Sequence, residues 1–178
     1  MPTYPKLASM LCAMDTTSAE LYFITDIIPY LTEIWIADYS SSEGEGDILK
    51  VTPNTFSYLF DISSKRLIAA WGISHGRHSG ARDKSRMTGH PLSAGSYYHR
   101  GHAIPHTLGG GTYINLVAQL GAVNIGPFRH LERLAVSTPG ALYFTYWIYS
   151  RHNSQAPTEV EQGLLIPGRT QLIYRHPN

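Results

Sequence analysis

The chain has 178 residues, 43% hydrophobic and 15% charged, which is enough apolar material for one packed domain and argues against wholesale disorder. No apolar run approaches ~18–20 residues, so no membrane span is expected, and the lone Cys12 excludes an internal disulfide. The net charge of +1 conceals a split: residues 1–61 carry nine acids against Lys6 and Lys50, whereas residues 62–178 carry all nine His and twelve Lys and Arg against four acids, about +8 with His neutral.

A second part so charged suits a polyanion. In chain order, residues 1–18 read as a loosely packed lead-in without the apolar core of a secretory signal. Leu21 to Ile28, Thr32 to Tyr39 and Thr55 to Ile62 are rich in Ile, Tyr, Phe and Thr and read as strands, with Pro29 punctuating the first two. Ser40 to Gly46 is a polar turn. Ser63 to Lys65 forms a tight connection into Arg66 to Ile73, so 55–73 is a predicted hairpin. Residues 74–96 are polar, Gly-rich and basic and form a predicted long loop, in which Arg77, Arg82, Lys84 and Arg86 are suited to tracking a phosphate backbone.

Tyr97 to Ile104 reads as a strand running into Gly109 to Gly111, with Tyr113 to Leu120 as its partner or an extended segment. Asn124 to about Val136 reads as a helix: Asn124 is the expected N-cap, Pro127 sits in the first turn, and Phe128, Leu131, Leu134 and Ala135 make the apolar face. Pro139 and Gly140 end it. Leu142 to Tyr149 is an aromatic strand, and Glu159 to Ile166 pairs with Thr170 to Tyr174 around Pro167 and Gly168. The whole is expected to be a single α+β domain, 1–178, with a twisted antiparallel or mixed sheet; the acidic first third either completes the sheet or covers one side of it.

Residues 97–132 hold the chemistry. His99, Arg100, His102 and His106 fall within eight residues, followed by Asn115, Gln119, Asn124 and Glu132. Cutting a phosphodiester needs a base for water, charge neutralisation at phosphate, and stabilisation of the departing oxygen. Neutral His serves as a base near pH 7. A guanidinium clamps phosphate oxygens. A hard cation that keeps most of its waters needs as little as one Asn oxygen from the protein. On a strand, Arg100 and His102 share one face. On one continuous helix, Asn124 and Glu132 would be roughly 80° and 12 Å apart, which casts Glu132 as a support reached through water or Arg. The glycine run lacks the Gly-Lys-Ser/Thr of a nucleotide loop and reads as a sharp turn. His75, His78 and His90 match no closed zinc pattern.

The stretch resembles the active-site motif of the DNA/RNA non-specific endonuclease family, within the ββα-metal (His-Me finger) nucleases. The Asp-Arg-Gly-His of that family is met by His99, Arg100, Gly101 and His102. Its Asn-x-x-x-Gln is met by Asn115 and Gln119, its Asn-x-Gly by Asn124 and Gly126, and its Leu-Glu by Leu131 and Glu132. The resemblance implies a ββα-metal core over 97–136, His102 as general base, Asn124 as ligand to Mg²⁺ or another divalent cation such as Mn²⁺, Arg100 as phosphate binder, and Glu132 and Asn115 as catalytic supports. His99 stands where the family has Asp; it and His106 are placed beside substrate. The Arg-Gly-His, Leu108-Gly109-Gly110 and Asn115-Leu116-Val117 order, with Pro157-Thr158 and a closing strand to Asn178, is also similar to the C-terminal nuclease domains of bacterial polymorphic toxins. That similarity implies synthesis in a bacterial cytoplasm, delivery by a secretion system into target cells, and an acidic immunity protein as partner.

The expected activity is therefore metal-dependent hydrolysis of DNA, with RNA as a second substrate. The residues leave two alternatives open: a non-catalytic nucleic-acid- or partner-binding domain on the same scaffold, and a metal-independent RNase pairing His102 with His99 or His106.

Overall fold

The computed structural model describes residues 2–44, 46–80, 94–150 and 154–178. Six strands form one antiparallel sheet in the order β1-β2-β3-β6-β7-β8: Ile48–Val51, Ser57–Asp61, Arg66–Ile73, Leu142–Ile148, Glu159–Leu165 and Leu172–Pro177. The expected 55–73 hairpin is present, with Lys65 at φ +56° in its turn. The aromatic strand and the closing pair are also where the sequence puts them. Between β3 and β6 the chain leaves the sheet and makes a separate two-stranded ribbon, β4 (Tyr98–His102) with β5 (Leu116–Leu120). Short helices α4 (Gly121–Ile125) and α5 (Phe128–Val136) follow. The architecture is α+β.

The first third is helical, which corrects the strand reading of 21–28 and 32–39. After α1 (Leu7–Ala13) come α2 (Ala19–Tyr22), a π-helical turn over Phe23–Ile27, and α3 (Ile28–Glu43). Phe23, Ile27, Leu31, Trp35 and Tyr39 are four apart and all but inaccessible, so the buried stripe has the period of a helix rather than a strand. Tertiary burial overrides the β-like composition. The wide turn sits directly before Pro29, whose ring and missing N–H disfavour a regular preceding turn. Residues 1–18 are not a loose lead-in either. Leu7 and Leu11 are buried, and the Tyr4 hydroxyl donates to Glu161 (2.6 Å) while accepting from Trp35 Nε1 (2.9 Å).

These helices cover one sheet face. Trp35 packs on Trp71, Phe144 and Tyr146 at ring separations of 5.7, 5.2 and 6.1 Å. The other face of β6 presents Tyr143 and Trp147 to α5, where Phe128 lies 6.1 Å from Trp147. Buried Gln162 on β7 donates to the Phe128 carbonyl, fixing α5 on the sheet (2.9 Å). Asn178 clips the ribbon to the same layer: its Nδ2 donates to the carbonyls of Ala118 and Pro157, and its Oδ1 accepts from Leu120 N. The result is three layers, with the ribbon and α4–α5 held on the face away from α3. No helix among the described residues is long and apolar enough to cross a membrane.

Candidate active-site cleft

A cleft of about 740 Å³ opens where the ribbon meets α4 and α5. Its walls include Arg77, Arg100, His102, His106, Asn124 and Glu132, six of the residues singled out from sequence. It also includes Arg129 and Arg133, which sequence reasoning missed. The missed signal was periodicity: the buried face of α5 is Phe128, Leu131 and Ala135, which leaves Arg129, Glu132, Arg133 and Val136 on an adjoining face.

The ribbon sets the first pair. In its register, Arg100 lies opposite Ala118 and His102 opposite Leu116, so both side chains leave one face, as alternation requires. Gly101 between them faces the other way, where a Cβ would collide with the buried Gln119 side chain; only glycine lets Gln119 lie there. His102 is 8% exposed, a buried imidazole at the cleft wall rather than a surface one.

The glycine run works as a turn. Gly109 has φ +102°, and a Cβ on Gly110 would collide with the Ile104 carbonyl oxygen. Asn115 staples this loop shut. Its Oδ1 accepts from Ile104 N (2.7 Å), and its Nδ2 donates to the carbonyls of Ile104 and Gly111 (2.8 Å each). Asn115 is fully buried, both ends of its amide are taken by backbone, and it does not line the cleft. These bonds shape the loop behind His102.

Asn124 is not an N-cap. It is the fourth residue of α4, and the chain turns at Gly126–Pro127 before α5 begins. The break invalidates the single-helix separation expected for Asn124 and Glu132; the two side chains line one cleft. The start of α4 is tied to the ribbon by Gly121 N donating to the Tyr97 carbonyl (2.8 Å). His99, on the opposite ribbon face from Arg100, reaches Asn124: its Nδ1 lies 3.3 Å from Asn124 Nδ2.

The charge pattern is lopsided. Glu132 is the sole acid among the described lining residues, which also include four arginines, Arg77, Arg100, Arg129 and Arg133. Burial raises its carboxyl to about 7, with Arg129 and Arg133 pulling the other way. His106 lies in the turn His106–Leu108, its ring 5.9 Å from that of His78. Arg82, Lys84, Arg86 and His90 lie outside the described residues.

The donor set fits a hard, mostly hydrated cation better than a closed site. Among the described residues there is no cluster of three or more His, Cys, Asp or Glu able to hold a metal. What the cleft offers is one neutral amide oxygen, on Asn124, near a carboxyl whose proton is held by desolvation and would be displaced by a neighbouring positive charge.

No family model matches the chain, and no curated protein does. Among solved structures, it is similar to NucA from Streptococcus agalactiae with no metal bound, at TM-score 0.52 and 15% identity over 80% of this chain and 87% of that one. It is equally similar to NucA from the same organism with a magnesium ion bound, again at TM-score 0.52 and 15% identity, over 80% and 86% of the two chains. At that identity the likeness concerns the fold.

Proposed function

We propose that the protein is a metal-dependent endonuclease that hydrolyses DNA, and RNA as a second substrate, through a ββα-metal element formed by β4, β5 and α4–α5. The observation that carries the reading is the convergence of Arg100, His102, Asn124 and Glu132 on one strongly basic cleft. The fold likeness to NucA is in keeping with it, and the magnesium ion in one NucA structure supports a divalent cation here.

In this mechanism His102 takes a proton from the attacking water, a role suited to an imidazole at the cleft wall. Arg100 clamps the non-bridging oxygens of the scissile phosphate from the same strand face. Asn124 would hold the cation, which, when bound, supplies positive charge at the phosphate and the leaving 3′-oxygen. Glu132 orients water and the arginines beside it. Arg77, Arg129, Arg133 and the basic loop bind flanking phosphates. The products carry 5′-phosphates. The toxin-like motif order extends the reading to an antibacterial effector, made in the producer cytoplasm, exported by a secretion system and neutralised by an acidic immunity protein over the cleft.

The test is cleavage of supercoiled plasmid with Mg²⁺ and with EDTA, using wild type, His102→Ala and Asn124→Ala. Nicking by wild type alone, and only with the metal, is expected. Full activity in either variant, or undiminished cleavage in EDTA, overturns the assignment. A gel shift without nicking identifies a binding domain, and EDTA-resistant cleavage of RNA alone identifies the His–His RNase.

A further inference from the structure

Among the described residues, β5 pairs with one strand, β4. Its other flank meets the side chain of Asn178. The Asn178 Nδ2 donates to the Ala118 carbonyl (2.9 Å), and its Oδ1 accepts from Leu120 N (2.8 Å). One carboxamide thus does for β5 what one residue of an antiparallel neighbour would do, giving a donor and an acceptor to residues two apart. The second Nδ2 hydrogen goes to the Pro157 carbonyl (2.8 Å), and the Asn178 backbone N–H goes to the Thr158 carbonyl (2.8 Å). Thr158 N donates in turn to the carbonyl of Ile148, at the end of β6 (2.8 Å). Two carbonyls call for the NH₂ and one N–H calls for the oxygen, so the Asn178 amide has a single orientation.

The clip holds the working parts of one cleft wall. Ala118 lies opposite Arg100 in the ribbon, and Leu120 opposite Tyr98. Leu120 also directly precedes α4, which carries Asn124. The facing wall, α5, is fixed on the sheet separately, by Gln162 at the Phe128 carbonyl. How the two walls face each other therefore depends on both attachments.

We propose that Asn178 is a positioning residue for the reaction: by fixing the ribbon and the start of α4 on the sheet, it sets Arg100, His102 and Asn124 against the α5 wall. The inference rests on the nuclease reading above. A displacement of about 1 Å at the reacting groups costs on the order of 10²-fold in rate. DNA binding is shared among several arginines and is far less sensitive to such a shift.

The test compares Asn178→Ala and Asn178→Asp with Gln155→Ala. Asp keeps an acceptor for Leu120 N and loses both donors. Gln155→Ala removes a bond of the same kind at the β2–β3 turn, from Gln155 Nε2 to the Ser64 carbonyl (2.8 Å). DNA cleavage is measured well below each thermal midpoint, and amide exchange is followed residue by residue by NMR. Asn178→Ala is expected to lower kcat about 10- to 100-fold with KM for DNA within about twofold of wild type. Its amide exchange should quicken across Tyr98–His102 as well as at Leu120. Asn178→Asp should lose at least about tenfold in kcat. Gln155→Ala should lower the midpoint and leave both kcat and ribbon exchange as in wild type. A wild-type kcat in folded Asn178→Ala, or faster exchange confined to Leu120, overturns the positioning role. So does failure of both Asn178 variants to fold, which would make the clip purely structural. Should wild type cleave nothing, the nuclease reading falls, and the exchange data alone decide whether Asn178 holds the ribbon.

Discussion

The two faces of the sheet treat buried polar groups in opposite ways. On the α3 side they are closed into pairs: Arg66 with Glu43 at 2.6 Å, Tyr39 with Asp61 at 2.7 Å, Tyr146 with Asp38 at 2.8 Å, and Tyr4 with Glu161. On the cleft side the described lining holds four arginines and one carboxyl, Glu132, that is pushed towards its neutral form. A folded chain can hold like charges together only if the rest of the structure supplies the stability. One side therefore secures the fold, and on the proposed reading the other receives an anion that is not part of the protein. Substitutions on the two sides should separate cleanly into losses of stability and losses of activity.

The largest separation is expected at His102. His102→Ala should lower kcat/KM on DNA by about 10² to 10⁴-fold, the usual worth of a positioned general base. Because the side chain is buried, His102→Gln is the control that keeps most of its volume: its thermal midpoint should stay close to wild type while activity is lost. A large fall in midpoint would place His102 with the structural polar groups and erase the contrast. On the opposite side, Glu43→Ala leaves the Arg66 guanidinium buried beneath Tyr149, 4.7 Å from its ring, without its carboxylate. Breaking such a pair costs about 3–5 kcal/mol. Urea denaturation measures that loss; activity per folded molecule should be unchanged.

The same contrast decides what is legible in the sequence. The cleft is legible because its residues are unusual for their places: a tight run of His, Arg, Asn and Gly has few structural uses, and strand alternation alone puts Arg100 with His102. The α3 side is not legible as helix because Ile, Tyr, Thr and Trp favour strands locally. Only the four-residue spacing of Phe23, Ile27, Leu31, Trp35 and Tyr39 carries the answer, and Pro29 hides it. Asn115 shows the limit within the motif itself. The pattern singles the residue out, but a fully buried amide bonded to three backbone groups staples a loop, and neither spacing nor residue type shows that.

Glu132 tests whether the cleft costs stability. Its folded carboxyl titrates near 7 rather than 4.5, so between these values the folded chain holds a proton that the unfolded chain has released. Stability is thus unpenalised below the unfolded value, falls as pH rises through the window, and stays lower above it. The shift corresponds to up to about 3 kcal/mol. Glu132→Gln mimics the protonated form, so it should match wild type at acid pH and exceed it at pH 8, while cleavage falls. Equal midpoints at pH 8 would show that the arginines offset the burial completely.

The smallest effects belong to Arg129 and Arg133, and they distinguish phosphate binding from chemistry. Both line the cleft, and they are one helical turn apart on exposed positions of α5. If they hold flanking phosphates, alanine at either should raise KM for DNA a few-fold and leave kcat unchanged, because the interaction is equally strong in ground and transition states. A phosphate that is no longer neutralised by an arginine keeps its condensed counterion. The slope of log affinity against log salt should therefore become shallower by about one for each arginine removed. A fall in kcat with an unaltered salt slope would instead put that arginine at the reacting phosphate beside Arg100, and the electrostatic wall would belong to the catalytic centre.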